Sequence, residues 1–185
     1  MVSFPKLTRL LPLLWLVVGA SALPAQDVAR TRAVAATVAP SPAEVLGHDL
    51  GERFTDHAGV MRYMDALAAA SPRVEIRPYG ESVEGRALIQ VLIAREDYLA
   101  RIDEILARNR ELADPDTPEA RAREIAATNP AVVYFSYGVH GNESSSSEAA
   151  LWTAWDLVRA APEVAGVLDS VVVVIDPVTN PDGRD

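Results

Sequence analysis

Apolar side chains recur at helical spacing from Val60 to Leu67, and the Thr-Asp pair at residues 55–56 precedes them as a plausible helix cap. Residues 74–79 then alternate between apolar and polar, which is typical of a strand. Residues 88–94 form a second, largely apolar strand segment, and a glycine-containing turn separates the two. The pattern predicts a helix followed by a β-hairpin.

The second half of the chain alternates longer helical segments with short apolar runs. Helical spacing predicts helices over residues 96–112, 118–128 and 143–160. Residues 131–139 and 171–175 are almost entirely apolar, as expected for strands buried on both faces. The side of the last helix that we expect to be buried consists of Ala149, Ala150, Trp152, Thr153 and Leu157. Strands that alternate with helices indicate an α/β fold, with a mixed sheet flanked by helices.

The first 25 residues have the pattern of an export signal peptide. Two basic residues precede an apolar centre at residues 10–18, and small residues lead to cleavage sites near Ala22 or Ala25. The apolar centre is much shorter than the ~20 residues that a membrane-spanning helix needs. An uncleaved N-terminal anchor is the alternative. We therefore expect a secreted or periplasmic protein without stable membrane insertion.

Residues 26–52 are dominated by Ala, Val, Pro and Thr without a clear period, and we expect them to form a linker. Within this linker, Pro40 and Pro42 are expected to block regular structure. The ordered domain is predicted to span residues 53–185. About 160 residues remain after loss of the signal, enough for one domain with a substantial core.

Charge and cysteine content narrow the function classes. The formal net charge is −9, and it becomes −11 when the two basic residues of the signal are removed. An acidic chain without a basic cluster is a poor nucleic-acid binder, so we expect no nucleic-acid partner. The absence of cysteine excludes a disulfide framework, a Cys-ligated zinc site and a Cys nucleophile.

His140 and Glu143 form the most informative chemical feature of the chain. They lie three residues apart, where a predicted strand ends and a predicted helix begins. In open α/β sheets, sites gather at the carboxyl ends of strands, and the positive end of a helix dipole favours an ionised carboxylate. An imidazole nitrogen and a carboxylate oxygen aimed at one point are suitable first ligands for zinc. The alternative is an ordinary loop histidine beside an acidic residue that favours the helix start.

The four serines at residues 144–147 are a second candidate feature. We expect their hydroxyl groups to cap the following helix and to pack its first turn. The sequence contains no Gly-x-Ser-x-Gly motif, which argues against a serine nucleophile.

Three segments resemble, in the same order, motifs of the zinc carboxypeptidases of the carboxypeptidase A type. Residues 79–86 resemble the hairpin turn before a core strand, and residues 139–143 resemble the first metal motif. Residues 176–184 resemble the strand-end segment that contains Asn-Pro-Asp-Gly. The resemblance covers residues 53–185 and implies a carboxypeptidase-like fold, truncated after about half of the catalytic domain.

The resemblance implies that His140 and Glu143 are two of the three protein ligands to one Zn²⁺ ion per catalytic domain. In this family the third ligand (a His), a substrate-binding Asn-Arg pair, a Tyr and the general-base Glu all lie further along, beyond Asp185. No catalytic or substrate-binding residue is therefore assigned within the chain. Asn142 stands where classical digestive members have a substrate-contacting Arg, which leaves the side-chain preference open. The Asn-Pro-Asp-Gly turn is expected to be scaffold, and the role of the family's downstream arginines is not transferred to Arg184.

The expected function is that of a secreted zinc-dependent metallocarboxypeptidase, which hydrolyses C-terminal peptide bonds in peptide or protein substrates. The fragment by itself is expected to be inactive, because the general base and the third ligand are missing. Two alternatives remain open. One is a zinc-dependent deacylase of small N-acyl amino acids, and the other is a secreted, non-catalytic binding module with a vestigial metal site.

Overall fold

Four strands, six α-helices and one short 3-10 helix at Val167–Asp169 lie within residues 39–185, the part of the chain that the computed structural model describes. The predicted export signal and the first part of the predicted linker lie outside the described residues. The helices are α1 (Pro42–Leu46), α2 (His57–Ala70), α3 (Glu96–Leu99), α4 (Ile102–Ala113), α5 (Glu119–Thr128) and α6 (Ser144–Val158), and the strands are β1 (Val74–Glu81), β2 (Ala87–Ile93), β3 (Ala131–Ser136) and β4 (Val171–Asp176). Within residues 39–185, none of the helices has the length and apolarity required to cross a membrane.

The four strands form one mixed sheet in the order β1-β2-β4-β3. The predicted hairpin is confirmed, because β1 and β2 pair antiparallel with Val74 opposite Ile93. β2 also pairs antiparallel with β4, whereas β3 and β4 run parallel and are connected through α6. The α/β fold with a mixed sheet is therefore confirmed.

Two apolar clusters cover the two faces of the sheet. Alternate residues of β2 and β4 belong to different clusters, as the two-residue period of a strand requires. The larger cluster joins one face to α2 and α6 and includes Val60, Met64, Leu67, Val91, Ile93, Leu151, Val173 and Ile175. The smaller cluster joins the other face to α4 and consists of Leu92, Ala94, Ile102, Ile105, Val172 and Val174.

The predicted cap of α2 is present, whereas the helix predicted over residues 96–112 is interrupted. Asp56 accepts a hydrogen bond from the backbone N–H of Gly59 at 2.7 Å, and α2 starts at the next residue. The interruption between α3 and α4 lies beside Tyr98, whose hydroxyl donates to the carbonyl of Asp169 at 2.9 Å. The Arg101 guanidinium lies over the Tyr98 ring. α3 therefore ends at Leu99, and α4 begins at Ile102.

The prediction that Pro40 and Pro42 block regular structure is wrong. Pro42 occupies the first turn of α1, where the missing N–H needs no partner, and Ser41 caps the helix. Ser41 and Glu44 form a capping box, in which the side chain of each bonds to the backbone N–H of the other. Pro42, a residue type that a helix interior excludes, therefore begins a helix, and Pro40 lies just before the cap. The predicted domain boundaries themselves stay predictions.

Burial on both faces is confirmed for β4 but is wrong for β3. In β4 only Val171 is partly exposed, and the other five residues are buried. In β3 the side chains of Val133, Tyr134 and Phe135 are exposed. The physical reason is position, because β3 is the edge of the described sheet and has a neighbouring strand on one side only. β3 also ends at Ser136, earlier than predicted.

The predicted buried side of α6 is partly wrong. Ala150 and Leu157 are buried as expected, whereas Trp152 is 50% exposed and Ala149 faces solvent. The buried side is formed instead by Ser147, Glu148, Ala150, Leu151, Ala154, Leu157 and Val158. Trp152 packs edge-on against Trp155, with ring centroids 5.3 Å apart. The side of α6 that packs against the core therefore differs from the predicted side.

Candidate metal centre

The parallel arrangement of β3 and β4 brings two of the predicted motifs together. Both strands end at the same edge of the sheet, and the segments that follow them remain paired. The N–H of Tyr137 donates to the carbonyl of Asp176 at 2.9 Å, and the N–H of Thr179 donates to the carbonyl of Tyr137 at 2.9 Å. The N–H of Asn180 donates to the carbonyl of Gly138 at 3.0 Å. This ladder holds the loop at residues 137–143 beside the Asn-Pro-Asp-Gly segment.

His140 and Glu143 are directed toward each other at the start of α6. Nδ1 of His140 lies 3.3 Å from Oε1 of Glu143, and the N–H of Glu143 donates to the carbonyl of His140 at 3.0 Å. Their side chains are 73% and 60% exposed. Glu143 is the N-cap residue of α6, so its carboxylate lies near the positive end of the helix dipole. Both potential ligand atoms are therefore accessible from solvent.

The distance between these two atoms fits a zinc site. Zinc binds imidazole nitrogen and carboxylate oxygen at ~2.0–2.1 Å in tetrahedral geometry, which puts two ligand atoms about 3.3 Å apart. The observed separation of 3.3 Å agrees with this value. Among residues 39–185, however, no group of three His, Cys, Asp or Glu side chains is arranged to hold a metal ion. Residues 39–185 thus contain two candidate ligand atoms at a suitable distance and no third side chain arranged with them.

Gly138 and Gly141 allow the loop to pack closely against its neighbours. Gly138 has a φ of +65°, and a Cβ there would lie 2.8 Å from Oγ of Ser147. A Cβ on Gly141 would lie 2.3 Å from the carbonyl carbon of Gly183 and 2.4 Å from the nitrogen of Arg184. Only glycine fits at position 141 unless one of the two backbones moves.

The Asn-Pro-Asp-Gly turn connects the loop to the β1–β2 hairpin. Asn180 Oδ1 accepts from the N–H of Gly183 at 3.0 Å, which closes the turn. Asp182 accepts hydrogen bonds from the hydroxyl of Ser82 at 2.5 Å and from the guanidinium of Arg86 at 2.9 Å. The Ser82 hydroxyl, followed by Arg86, holds the pKa of Asp182 below its ordinary value. The three segments that carry the sequence resemblance are therefore in direct contact.

The serines at the start of α6 act differently from the prediction. No side-chain hydrogen bond caps the helix, so the capping role is wrong. Oγ of Ser146 instead accepts from the N–H of Gly138 at 2.8 Å, and Ser147 is fully buried. The packing role is confirmed for Ser146 and Ser147, which hold the first turn of α6 against the loop before it, whereas Ser144 and Ser145 are exposed.

Asp176, the last residue of β4, is a buried acid for which the sequence pattern predicts no chemical role. Its Oδ2 accepts hydrogen bonds from the hydroxyl groups of Tyr79 at 2.5 Å and Tyr134 at 3.3 Å. Burial raises the pKa of Asp176, and the tyrosine hydrogen bonds partly oppose this effect. Tyr79 belongs to the hairpin segment, so this contact also ties the hairpin to the end of β4. The sequence does contain a signal for this residue, because an acidic residue directly follows the apolar run at residues 171–175.

Arg184 is the second residue whose environment the sequence did not indicate. It is 3% exposed, and its guanidinium lies 4.3 Å from the ring centroid of Phe54. Its Nε donates to the carbonyl of Thr55 at 2.8 Å, and Nη1 lies 3.4 Å from the carbonyl oxygens of Gly141 and Glu143. Burial lowers the pKa of Arg184 below its ordinary value.

The charge of Arg184 is balanced by a buried acid on α6. Glu148 is 6% exposed and raises the pKa of Arg184 against the effect of burial. The Glu148 carboxylate accepts from the N–H of Gly51 at 2.8 Å and from the hydroxyl of Thr55 at 3.1 Å. Thr55 thus bonds to Arg184 through its carbonyl and to Glu148 through its hydroxyl.

Comparison with known families agrees with this arrangement. A family model described as zinc carboxypeptidase matches residues 60–185, and the chain therefore belongs to the zinc carboxypeptidase family. The family resemblance stated from the three motifs is confirmed. Among curated proteins, no sequence matches the chain.

Solved carboxypeptidase-type structures share the fold. A thrombin-activatable fibrinolysis inhibitor matches with a TM-score of 0.53 and 16% identity, over 87% of this chain and 33% of that one. The carboxypeptidase A of Helicoverpa armigera matches with a TM-score of 0.50 and 21% identity, over 77% of this chain and 31% of that one. A bovine thrombin-activatable fibrinolysis inhibitor bound to a tick carboxypeptidase inhibitor matches with a TM-score of 0.47 and 18% identity, over 72% of this chain and 33% of that one. The chain spans about a third of the length of these structures.

Proposed function

We propose that this chain is the N-terminal part of the catalytic domain of an exported, zinc-dependent metallocarboxypeptidase. The observation that carries the proposal is the 3.3 Å separation between His140 Nδ1 and Glu143 Oε1, in a chain of the zinc carboxypeptidase family. This separation fits two ligands of one tetrahedral zinc ion. The third ligand, a His, and the general-base Glu are expected from the rest of the domain, as the family resemblance implies.

In this proposal the residues of the chain bind and orient the metal. His140 supplies an imidazole nitrogen, and Glu143, the N-cap residue of α6, supplies a carboxylate oxygen. A zinc ion, when bound, supplies a Lewis acid that polarises the scissile carbonyl and lowers the pKa of a water molecule. The exposed ligand atoms leave one side of the loop open to a substrate.

The proposed substrates are peptides or proteins with a free C-terminal carboxylate. Support comes from the family match and from the Asn-Pro-Asp-Gly segment, which is fixed against the hairpin through Asp182. Arg184, the guanidinium that contacts the loop in the described part of the chain, is buried and donates to a backbone carbonyl, so it is not available to bind that carboxylate. Recognition of the substrate terminus is therefore assigned to the rest of the domain.

The test uses the whole protein, meaning this chain together with the rest of its catalytic domain. Three substrates are compared: a peptide with a free C-terminus, the same peptide with an amidated C-terminus, and an N-acyl amino acid. We expect release of the C-terminal amino acid from the first substrate only. Exclusive cleavage of the N-acyl amino acid would favour the deacylase, and peptide binding without cleavage would favour the binding module.

Export is the second part of the proposal, and it rests on the charged, apolar and small-residue pattern of the first 25 residues. Mass spectrometry of the mature N-terminus tests it. We expect cleavage near Ala22 or Ala25. An intact chain that begins at Met1 and is found in the cytosol would contradict export.

A further inference from the structure

We propose that Arg184 is a positioning residue that fixes the metal-binding loop, and that zinc affinity depends on its guanidinium. This inference rests on the proposed function, because it takes His140 and Glu143 as the ligands. It concerns a buried side chain that is not one of the candidate ligands.

The candidate ligands lack supporting side-chain contacts among the described residues. The side chains of His140 and Glu143 are largely exposed, and the one polar side-chain contact found for each within residues 39–185 joins them to each other. Metal-ligating side chains normally depend on outer groups that fix their direction. Here the direction of both ligands is set by the backbone at residues 140–143.

Arg184 holds that backbone from the inside. Its Nη1 lies 3.4 Å from the carbonyl oxygens of both Gly141 and Glu143, so one group reaches the chain on either side of Asn142. These distances are longer than those of ordinary neutral hydrogen bonds, but the donor is charged and buried, which strengthens its attraction to both carbonyl dipoles. A shift of Arg184 would therefore release the loop at two points.

Arg184 is itself fixed by the segment before α2. Nε donates to the carbonyl of Thr55 at 2.8 Å, and the Phe54 ring lies under the guanidinium at 4.3 Å. Glu148, from the second turn of α6, bonds to the hydroxyl of the same Thr55. The guanidinium thus links the start of α2 to the loop that carries the two ligands.

The chain offers a matched control in Arg159. Its guanidinium also stacks on an aromatic ring, that of Trp155, at 4.3 Å, and it forms an ion pair with Asp156. Arg159 is the C-cap residue of α6, at the end of the helix opposite the metal loop. Removing Arg159 deletes a similar stacking contact without touching the loop.

The experiment measures two quantities on the whole protein and on the variants Arg184→Gln, Arg184→Lys and Arg159→Gln. The first is zinc affinity of the folded protein, by competition with a chelator, and the second is the unfolding stability of the zinc-free protein. We expect Arg184→Gln to weaken zinc binding by about 10–100-fold, as loss of an outer group typically does. Arg184→Lys should recover part of this loss, because one ammonium group cannot reach all three carbonyls. Arg159→Gln should leave zinc affinity unchanged.

A purely structural role would lower the stability of the zinc-free protein without changing the zinc affinity of its folded fraction, and that result would overturn the inference. Failure of the proposed function is distinguishable, because His140→Ala would then also leave zinc affinity unchanged. If Arg184→Gln does not fold, zinc affinity is measured on Arg184→Lys and Phe54→Leu instead. Phe54→Leu removes the aromatic ring under the guanidinium. Weaker zinc binding in both of these variants supports the inference, and unchanged binding in both refutes it.

Discussion

Gly141→Ala is the substitution that most directly tests the packing of the metal loop. A Cβ at this position would lie 2.3 Å from the carbonyl carbon of Gly183 and 2.4 Å from both the Arg184 nitrogen and the Asn180 oxygen. Ordinary contacts between carbon atoms are ~3.5–4.0 Å, so the two segments must separate by about 1 Å. All three contacting atoms belong to the backbone, which no change of rotamer can relieve.

We expect Gly141→Ala to lower the free energy of unfolding by about 3 kcal/mol, the upper part of the range for overpacked sites. Denaturant unfolding of the zinc-free protein measures the change. Gly80→Ala is the matched control, because no atom lies within 4 Å of the added Cβ. It should change stability by less than about 0.5 kcal/mol. Equal stability of the two variants would refute the proposed packing of the loop against the turn.

Three further predictions concern the hairpin contacts and the chain in isolation. Tyr79→Phe removes the 2.5 Å hydrogen bond to the buried carboxylate of Asp176 and should cost about 1–3 kcal/mol in denaturant unfolding, whereas an unchanged stability would contradict that bond. The pKa of Asp182 is held below its ordinary value of 3.8, so the ionised carboxylate stabilises the fold above that pH. This stabilisation is lost as the pH falls through the folded-state pKa, and the stability difference between Asp182→Asn and wild type should therefore shrink in acid. Residues 26–185 alone should hydrolyse no peptide, bind zinc only weakly and self-associate through the open edge of β3. A monomer in size-exclusion chromatography, together with metal-dependent turnover in a hydrolysis assay, would contradict this.

The sequence was sufficient where the structural signal is local. The cap at Asp56, the hairpin and the buried strand β4 follow from patterns over a few residues, and the structure contains all three. His140 and Glu143 are also close in sequence, so their 3.3 Å approach depends mainly on one loop and one helix start. Such features need no knowledge of distant contacts.

The sequence was insufficient where the environment comes from distant segments. Arg184 is buried because Thr55, 129 residues earlier in the chain, accepts its Nε–H. The exposure of β3 depends on its place at the edge of the sheet, which an apolar run does not reveal. The Ser41–Glu44 capping box is visible in the sequence, but the prolines on either side of Ser41 predict an interruption of regular structure. Position within the fold, rather than residue type, decided each of these cases.

Zinc content after dialysis tests the central claim most directly. The whole protein is compared with His140→Ala, Glu143→Ala and the control His48→Ala, in which a histidine outside the loop is removed. The wild type and the control should each retain one zinc ion per chain, and the other two variants should lose most of their zinc, because each lacks one of only three protein ligands. If both His140→Ala and Glu143→Ala keep one zinc ion with unchanged affinity, His140 and Glu143 are not the ligands.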